Sequence, residues 1–148
     1  MSLAIMSGSE LTEYVEGIVH EDTQVGDHGL DLTVAAVRVV KEPGRVDFGG
    51  GELDAATTTP HETAQRNPDD EYGWWNLDAG QYLVEFNESM HADEPLVCQT
   101  RDELRERGAF HPTLFVRELE RVPLSVPTGG LRLKENARVS TLLPSSRP

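Results

Sequence analysis

The sequence is poor in lysine, in cysteine and in long apolar runs, and each shortage excludes a class of protein. Only Lys41 and Lys134 are lysines, and acidic residues outnumber basic ones by 26 to 13. Because no basic stripe can neutralise the phosphates of a duplex, we expect no nucleic-acid partner. The single cysteine, Cys98, cannot form an internal disulfide, which fits a reducing cytoplasm. No apolar run approaches the roughly 20 residues that span a bilayer, so we expect a cytoplasmic protein without a membrane anchor.

The charge balance is the most unusual property of the composition. The formal net charge is −13, and arginine supplies nearly all of the positive charge. An acidic surface with few lysines is typical of proteins from a high-salt cytoplasm, where screening shortens the range of self-repulsion. An acidic protein from an ordinary cytoplasm is the alternative.

Short apolar runs, separated by turn residues, predict the fold class. The spacing of these runs is typical of a mainly β protein, either a sandwich or a jelly-roll-like distorted β-barrel, with two short helices. The length favours one domain, residues 1–148, with a frayed tail over 143–148. Two runs, YGWWNL and QYLVEFNE, predict two strands joined by a short turn at 78–80. We interpret their aromatic residues as core or cross-strand pairs.

Capping signals place the two helices. Ser7 and Glu10 form a capping box, which predicts a helix over 9–16 that ends at Gly17. A second helix-forming run, at 101–107, is closed by Gly108. Ala35 and Ala36 interrupt a predicted strand and indicate a bulge. The segment 54–71 is polar and reads as a long surface loop.

Five stretches in consistent order resemble the motifs of the dUTPase and dCTP deaminase superfamily. IMSGSEL is similar to the family's opening acidic helix, and QVGDHGLDLTV to its Gly-x-Asp-Leu stretch. LDAGQYLVEFNE resembles the Pro-Gly-Glu-Phe strand, and TRDELRERGAF the Arg-Ser-Ser-Leu-x-Arg-x-Gly helix. GGLRLKENARVSTLL resembles the closing Leu-x-x-Gly-x-Arg-Ile-x-Gln-Leu strand. The resemblance implies a β-barrel that assembles as a homotrimer and binds a deoxynucleoside triphosphate.

The nucleotide-binding candidates lie in and after the second predicted helix. The resemblance implies that Arg101 and Gly108 belong to the helix that holds the triphosphate. A helix N-terminus attracts anions, and a guanidinium adds a bidentate partner. A surface arginine paired with Asp102 or Glu103 is the alternative for Arg101. His111 stands before a proline, where it could reach a phosphate or simply form a turn.

Two carboxylates are the catalytic candidates. Glu118 falls near the position of the deaminases' proton-shuttling glutamate, which requires burial; a residue that faces solvent is the alternative. Asp31 lies in the matched Asp-Leu motif, where it could fix a loop or a water near Mg²⁺, or cap its own turn. The histidine and cysteine spacing predicts no metal site held by the protein itself.

Two departures from the family pattern concern the substrate site. Asp102 and Glu103 stand where the family has serines. Only three residues separate Phe110 from Leu114, where the family has a longer hairpin that carries the pyrimidine pocket. In dUTPases that hairpin also holds the aspartate that activates water. The loop at 54–71 is the segment that could rebuild this pocket.

The resemblance implies an enzyme of deoxynucleotide metabolism, a dUTP nucleotidohydrolase or a dCTP deaminase. Mg²⁺ is then expected as a cofactor carried by the substrate phosphates. The alternative is a catalytically inactive trimeric module that binds nucleotides or regulates with the same fold.

Overall fold

A computed structural model describes residues 7–145. Three short helices are present, α1 (Gly8–Leu11), α2 (Glu21–Gln24) and α3 (Asp102–Glu106), with a 3₁₀ turn at Thr12–Tyr14. The strands are β1 (Val15–Glu16), β2 (Leu30–Glu42), β3 (Thr57–Pro60), β4 (Trp74–Leu77), β5 (Gly80–Phe86), β6 (Ser89–Thr100), β7 (Leu114–Glu118), β8 (Val122–Val126), β9 (Leu131–Lys134) and β10 (Arg138–Pro144). The prediction of a mainly β fold with few short helices is therefore confirmed, and α2 is an additional helix beyond the two that the sequence predicts.

The two longest strands and β10 form the frame of the molecule. The main sheet has the order β1-β6-β10-β2-β5-β8, with β3 added to β2 and β7 added to β6. A separate two-stranded sheet joins β4 to β9. All of these pairs are antiparallel. The strand β10 lies between β6 and β2, so residues from three distant parts of the chain become neighbours.

The core consists of two apolar clusters that the alternating strand pattern creates. Side chains of an extended strand point alternately to opposite faces, so a run with apolar residues at every second position buries one face. One cluster packs β4, β5, β8 and β9 against β2 and includes Trp75, Tyr82 and Leu124. The other packs α1 against β2, β6 and β10 and includes Leu11 and Leu142.

The first helix is shorter than the capping box predicts. The Ser7 hydroxyl accepts a hydrogen bond from the Glu10 N–H at 3.3 Å, as expected of an N-cap. The prediction that this helix reaches residue 16 is wrong, because Val15 and Glu16 pair with β6 as a strand. Tertiary pairing overrides the weak helical preference of a short segment.

The two aromatic strands do not form the expected hairpin. β4 pairs with β9, whereas β5 pairs with β2 and β8. The turn at 78–80 therefore carries the chain from one sheet to the other. Gly80 allows this corner with a φ of 145°, and the Tyr82 hydroxyl donates to the Asp78 carbonyl at 2.7 Å.

One of the other local predictions is confirmed, and others differ from the structure. The bulge expected at Ala35 and Ala36 is confirmed by a register shift between β2 and β5. The loop at 54–71 contains the strand β3. Leu143 and Pro144 were expected in the frayed tail but pair with β6 as part of β10; residues 146–148 lie outside the described range. Within residues 7–145, no helix is long and apolar enough to cross a membrane.

Candidate active site

Arg101 lies at the junction between β6 and α3, against the edge of β10. Its backbone N–H donates to the Val139 carbonyl at 3.0 Å. The guanidinium is only 16% exposed and contacts two carboxylates, Asp31 at 3.4 Å and Glu103 at 3.2 Å. Arg101 is thus a largely buried cation between one half-buried carboxylate and one exposed carboxylate.

Asp31 holds a second arginine beside the first. Its Oδ2 atom accepts a hydrogen bond from Arg138 at 3.0 Å, and its Oδ1 atom accepts from the Thr141 hydroxyl at 2.7 Å. The Asp31 side chain is 17% exposed. One carboxylate therefore keeps two guanidinium groups, Arg101 and Arg138, side by side. We call these two residues the arginine pair.

A bulge in β10 makes this arrangement possible. Arg138 and Thr141 are three positions apart, so in a regular strand their side chains would point to opposite faces. The register between β10 and β2 shifts between Arg138 and Ser140. The extra residue resets the alternation, and both side chains reach Asp31.

The backbone of Asp31 is fixed by a buried polar cluster that was not anticipated from the sequence. The Gln24 side-chain amide donates to the Asp31 carbonyl at 2.9 Å and to Glu88 at 2.8 Å. Glu88, which is buried, also accepts from the Thr33 N–H at 2.8 Å and the Thr33 hydroxyl at 2.6 Å. Because its bonds are made, this carboxylate supports the site rather than reacting in it.

The arginine pair can bind an anion of more than one charge. Guanidinium groups match the oxygens of phosphate in bidentate geometry, and charge-assisted bonds are the stronger kind. The Glu103 carboxylate, whose side chain is 55% exposed, pairs with one side of the Arg101 guanidinium at 3.2 Å. An incoming phosphate would have to displace this carboxylate.

His111 and Gly108 line a neighbouring cavity of about 480 Å³. His111 is buried, with Nδ1 2.7 Å from the Pro112 carbonyl and Nε2 2.6 Å from the Ser140 hydroxyl. The carbonyl can only accept, so Nδ1 carries the proton and Nε2 accepts from Ser140. Burial lowers the pKa of His111, and the bond to the Pro112 carbonyl opposes that shift. Both ring nitrogens are therefore used within the fold.

Gly108 ends α3 in a left-handed conformation. Its φ is 84°, and a Cβ atom there would lie 3.1 Å from the Pro127 ring. Its N–H donates to the Arg105 carbonyl at 3.0 Å. The structure gives Gly108 a helix-ending role beside the cavity.

Glu118 lies apart from these groups. It is on β7, its side chain is 68% exposed, and its nearest charged partner is His91 at 3.8 Å. It lines a different groove, of about 640 Å³. Cys98 lines the same groove, and burial raises the pKa of its thiol to about 11. This thiol is therefore protonated and a poor nucleophile at neutral pH.

The structure thus brings together some of the predicted residues and separates others. Asp31 and Arg101 are in contact, Gly108 and His111 share a cavity, and Glu118 stands alone. Arg138 and Thr141 were missed as site residues, although both lie in the stretch that resembles the family's closing strand. In the described part of the chain, no cluster of three or more His, Cys, Asp or Glu side chains could hold a metal ion.

Comparison with known proteins shows what the chain is similar to. No family model matches the chain. Two curated proteins, the probable deoxyuridine 5'-triphosphate nucleotidohydrolases of Methanosarcina mazei and Methanococcoides burtonii, are each 28% identical over 155 aligned residues. These alignments cover 95% of this chain and 87% and 88% of the relatives. The crystal structure of 2'-deoxycytidine 5'-triphosphate deaminase from Agrobacterium tumefaciens superposes with a TM-score of 0.59 over 96% of this chain, at 15% identity.

The chain is similar to members of the dUTPase and dCTP deaminase superfamily. Both comparisons extend over nearly all of it, so the superfamily resemblance expected from five short motifs is confirmed. This chain spans 47% of the Agrobacterium deaminase chain, about half its length. At 15% identity, that likeness concerns the fold alone.

Proposed function

We propose that this protein is a dUTP nucleotidohydrolase, which hydrolyses dUTP to dUMP and pyrophosphate. The observation that carries the proposal is the arginine pair, two guanidinium groups held side by side by Asp31. A triphosphate is the ligand whose charge and oxygen geometry suit two adjacent guanidiniums. The names of the curated relatives support the choice of dUTP.

In this proposal each residue of the site has a distinct task. Arg101 and Arg138 bind phosphate oxygens and stabilise the charge that develops on them during displacement by water. Asp31 is a positioning residue, because it holds both guanidiniums in register and is in turn fixed by Thr141. Glu103 swings towards solvent when the substrate binds. Deamination is less favoured, because Glu118 lies in a different groove.

Mg²⁺ fits this site only as an ion that arrives with the substrate. The described residues offer no cage of ligands for it, and Mg²⁺ is commonly bound by phosphates with one or two carboxylates. Asp31 is the nearest buried carboxylate to the arginine pair. When bound, the ion would neutralise phosphate charge; every other task belongs to the side chains named above.

A binding module without turnover is the second candidate, and one observation favours it. The Glu103 carboxylate already pairs with Arg101 at 3.2 Å, so the site carries its own competing anion.

The proposal also includes assembly as a homotrimer in the cytoplasm. The superfamily resemblance supports the trimer, and the free thiol of Cys98 supports the cytoplasmic location. Light scattering in molar KCl should return the trimer mass; monomer mass alone would contradict the assembly.

The test measures pyrophosphate release from dUTP, and ammonia release from dCTP, with Mg²⁺ in molar KCl. Arg101→Ala should weaken substrate binding by about 1.5–3 kcal/mol, the range for one charge-assisted contact. Arg117→Ala is the matched control, because Arg117 is an exposed arginine on β7. Circular dichroism confirms that both variants are folded.

The outcomes separate the two candidates. Pyrophosphate from dUTP, lost in Arg101→Ala and retained in Arg117→Ala, supports the hydrolase. Calorimetric binding of a non-hydrolysable dUTP analogue without turnover supports the module. Ammonia from dCTP would replace hydrolysis by deamination, and an effect of Glu118→Gln would then assign that residue.

A further inference from the structure

The outer face of the small β4–β9 sheet gathers positive charge in a chain that is otherwise acidic. Trp74 pairs with Lys134 across this sheet, and Asn76 pairs with Arg132. The alternate positions, Trp75 and Leu133, are buried in the core. Because side chains alternate between faces, Trp74, Asn76, Arg132 and Lys134 share the outer face.

A third cation comes from the neighbouring segment. Ala64 exchanges backbone hydrogen bonds with Trp74 at 2.9 Å and 2.8 Å, which places Arg66 beside the sheet. The Arg66 guanidinium lies 5.2 Å from the centre of the Trp74 ring, and the Lys134 ammonium lies 5.6 Å from it. Both distances are typical of cation–π contacts. The indole thus holds two cations in place.

These cations differ from most others in the protein. Arginines such as Arg38, Arg45 and Arg121 pair with carboxylates. In the part of the chain that the structure describes, none of the nine ion pairs involves Arg66, Arg132 or Lys134. The adjacent Glu135 lies instead near the Gly73 N–H, at 3.3 Å. Three unpaired cations on one small face are unexpected at a net charge of −13.

We propose that Arg66, Arg132 and Lys134, arranged around Trp74, bind a phosphate-bearing ligand at a site separate from the arginine pair. We call this set the basic cluster. Arg66, Arg132 and Trp74 line a cavity of about 400 Å³, to which Gln65 and Asn76 add amide groups. Lys134 joins the cluster through its contact with the Trp74 ring. Three cations favour a ligand with several charges over a single carboxylate, and guanidiniums suit phosphate oxygens.

The overall negative charge does not prevent this binding. At physiological ionic strength the screening length is about 8 Å, so an anion in the cavity responds chiefly to the nearby cations. The cation–π contacts also lower the cost of ordering two long side chains before the ligand arrives. The cationic side chains of the cluster are therefore already ordered before an anion binds.

The test uses the full chain with Arg101→Ala, which weakens the first phosphate site, and inorganic triphosphate as the probe. Calorimetry gives the affinity, and tryptophan fluorescence reports on the half-buried Trp74 within the cluster. Adding Arg66→Gln and Arg132→Gln should weaken triphosphate binding at least about tenfold, since two charge-assisted contacts are lost. The matched control, Lys41→Gln with Arg117→Gln, removes the same charge elsewhere and should change the affinity less than about twofold.

Two results would overturn the proposed phosphate site. No triphosphate binding in the Arg101→Ala chain overturns the proposal, as does an equal loss in the cluster variant and its charge-matched control. Equal affinity for dUTP and inorganic triphosphate means that phosphate alone is recognised, whereas tighter dUTP binding means that the cluster also reads the nucleoside. Thermal melts of all variants check that they are folded. Because dUTP turnover is measured separately, this site and the proposed activity can fail independently.

Discussion

At the scale of single residues, two carboxylates compete for the guanidinium of Arg101. Asp31 is nearly buried and is fixed by Arg138 and Thr141, whereas Glu103 is more than half exposed. An exposed ion pair contributes little to stability, about 0–1 kcal/mol. Glu103 is therefore the partner that a phosphate can displace, and its charge opposes the approach of that phosphate.

Replacing this carboxylate should improve nucleotide binding. We expect Glu103→Ser to tighten binding of a dUTP analogue about three- to tenfold, because a competing anion is removed. Glu106→Ser is the control, since it removes the same charge from the same helix at a residue that pairs with Arg107 instead. Calorimetry at fixed salt measures both. Equal changes in the two variants would mean that only the overall charge matters.

His111 should make folding stability depend on pH. Burial lowers the pKa of this imidazole in the folded chain, so the unfolded chain binds the proton first. Stability is therefore complete above about pH 6.5 and falls below it, by up to about 1.4 kcal/mol per pH unit. Denaturant unfolding between pH 7.5 and 5.5 measures this slope.

His111→Gln should flatten the slope, whereas His20→Gln, at an exposed histidine, should leave it unchanged. A wild-type chain that is equally stable at pH 7.5 and 5.5 would contradict the assignment of a neutral, buried His111.

At the scale of elements, α3 depends on the residue that ends it. Gly108 has a φ of 84°, and a Cβ atom there would press on the Pro127 ring. Gly108→Ala should lower the free energy of unfolding by about 1–2 kcal/mol, because both backbone strain and crowding are introduced. Gly129→Ala, where a Cβ atom meets nothing, is the control for chemical denaturation. A change of less than 0.5 kcal/mol at Gly108 would argue against this role.

Sequence reasoning identified elements better than it identified their partners. The alternation of Val122, Leu124 and Val126 predicts a half-buried strand, and β8 is found there. The turn at 78–80 carries the residues of a hairpin, yet it joins two sheets. Local sequence specifies that a chain turns, whereas long-range packing decides which strands then pair.

The candidate site shows the same division. Arg101 and Asp31 were each named from motifs, and the structure places them in contact. Arg138 and Thr141 were not predicted as site residues, because a bulge brings both side chains to one face of β10. No local feature of the sequence predicts this bulge. Which distant residues form ion pairs depends on the pairing register of their strands. A shift of one residue in that register moves each side chain to the opposite face of the sheet.

At the scale of the whole molecule, the net charge of −13 should make stability depend on salt. Raising KCl from 0.1 M to 2 M shortens the screening length from about 10 Å to below 3 Å. We expect the melting temperature to rise by several degrees, because repulsion between exposed carboxylates is suppressed. A variant with Asp93→Asn and Glu94→Gln, at two exposed neighbours on β6, should show a smaller rise. A melting temperature that falls with salt would contradict the high-salt interpretation.

The central place of β10 has a consequence for the way this protein is made. Asp31 and Thr141 are 110 positions apart, and Arg101 precedes Arg138 by 37. On the ribosome, a nascent chain that stops before residue 138 lacks both the strand between β2 and β6 and the second guanidinium. If the arginine pair holds the triphosphate as proposed, such a chain has only half of that site, and we expect the ligand to contribute little to the early stages of folding. Nucleotide binding would instead report that translation has passed β10 and that this strand has been inserted.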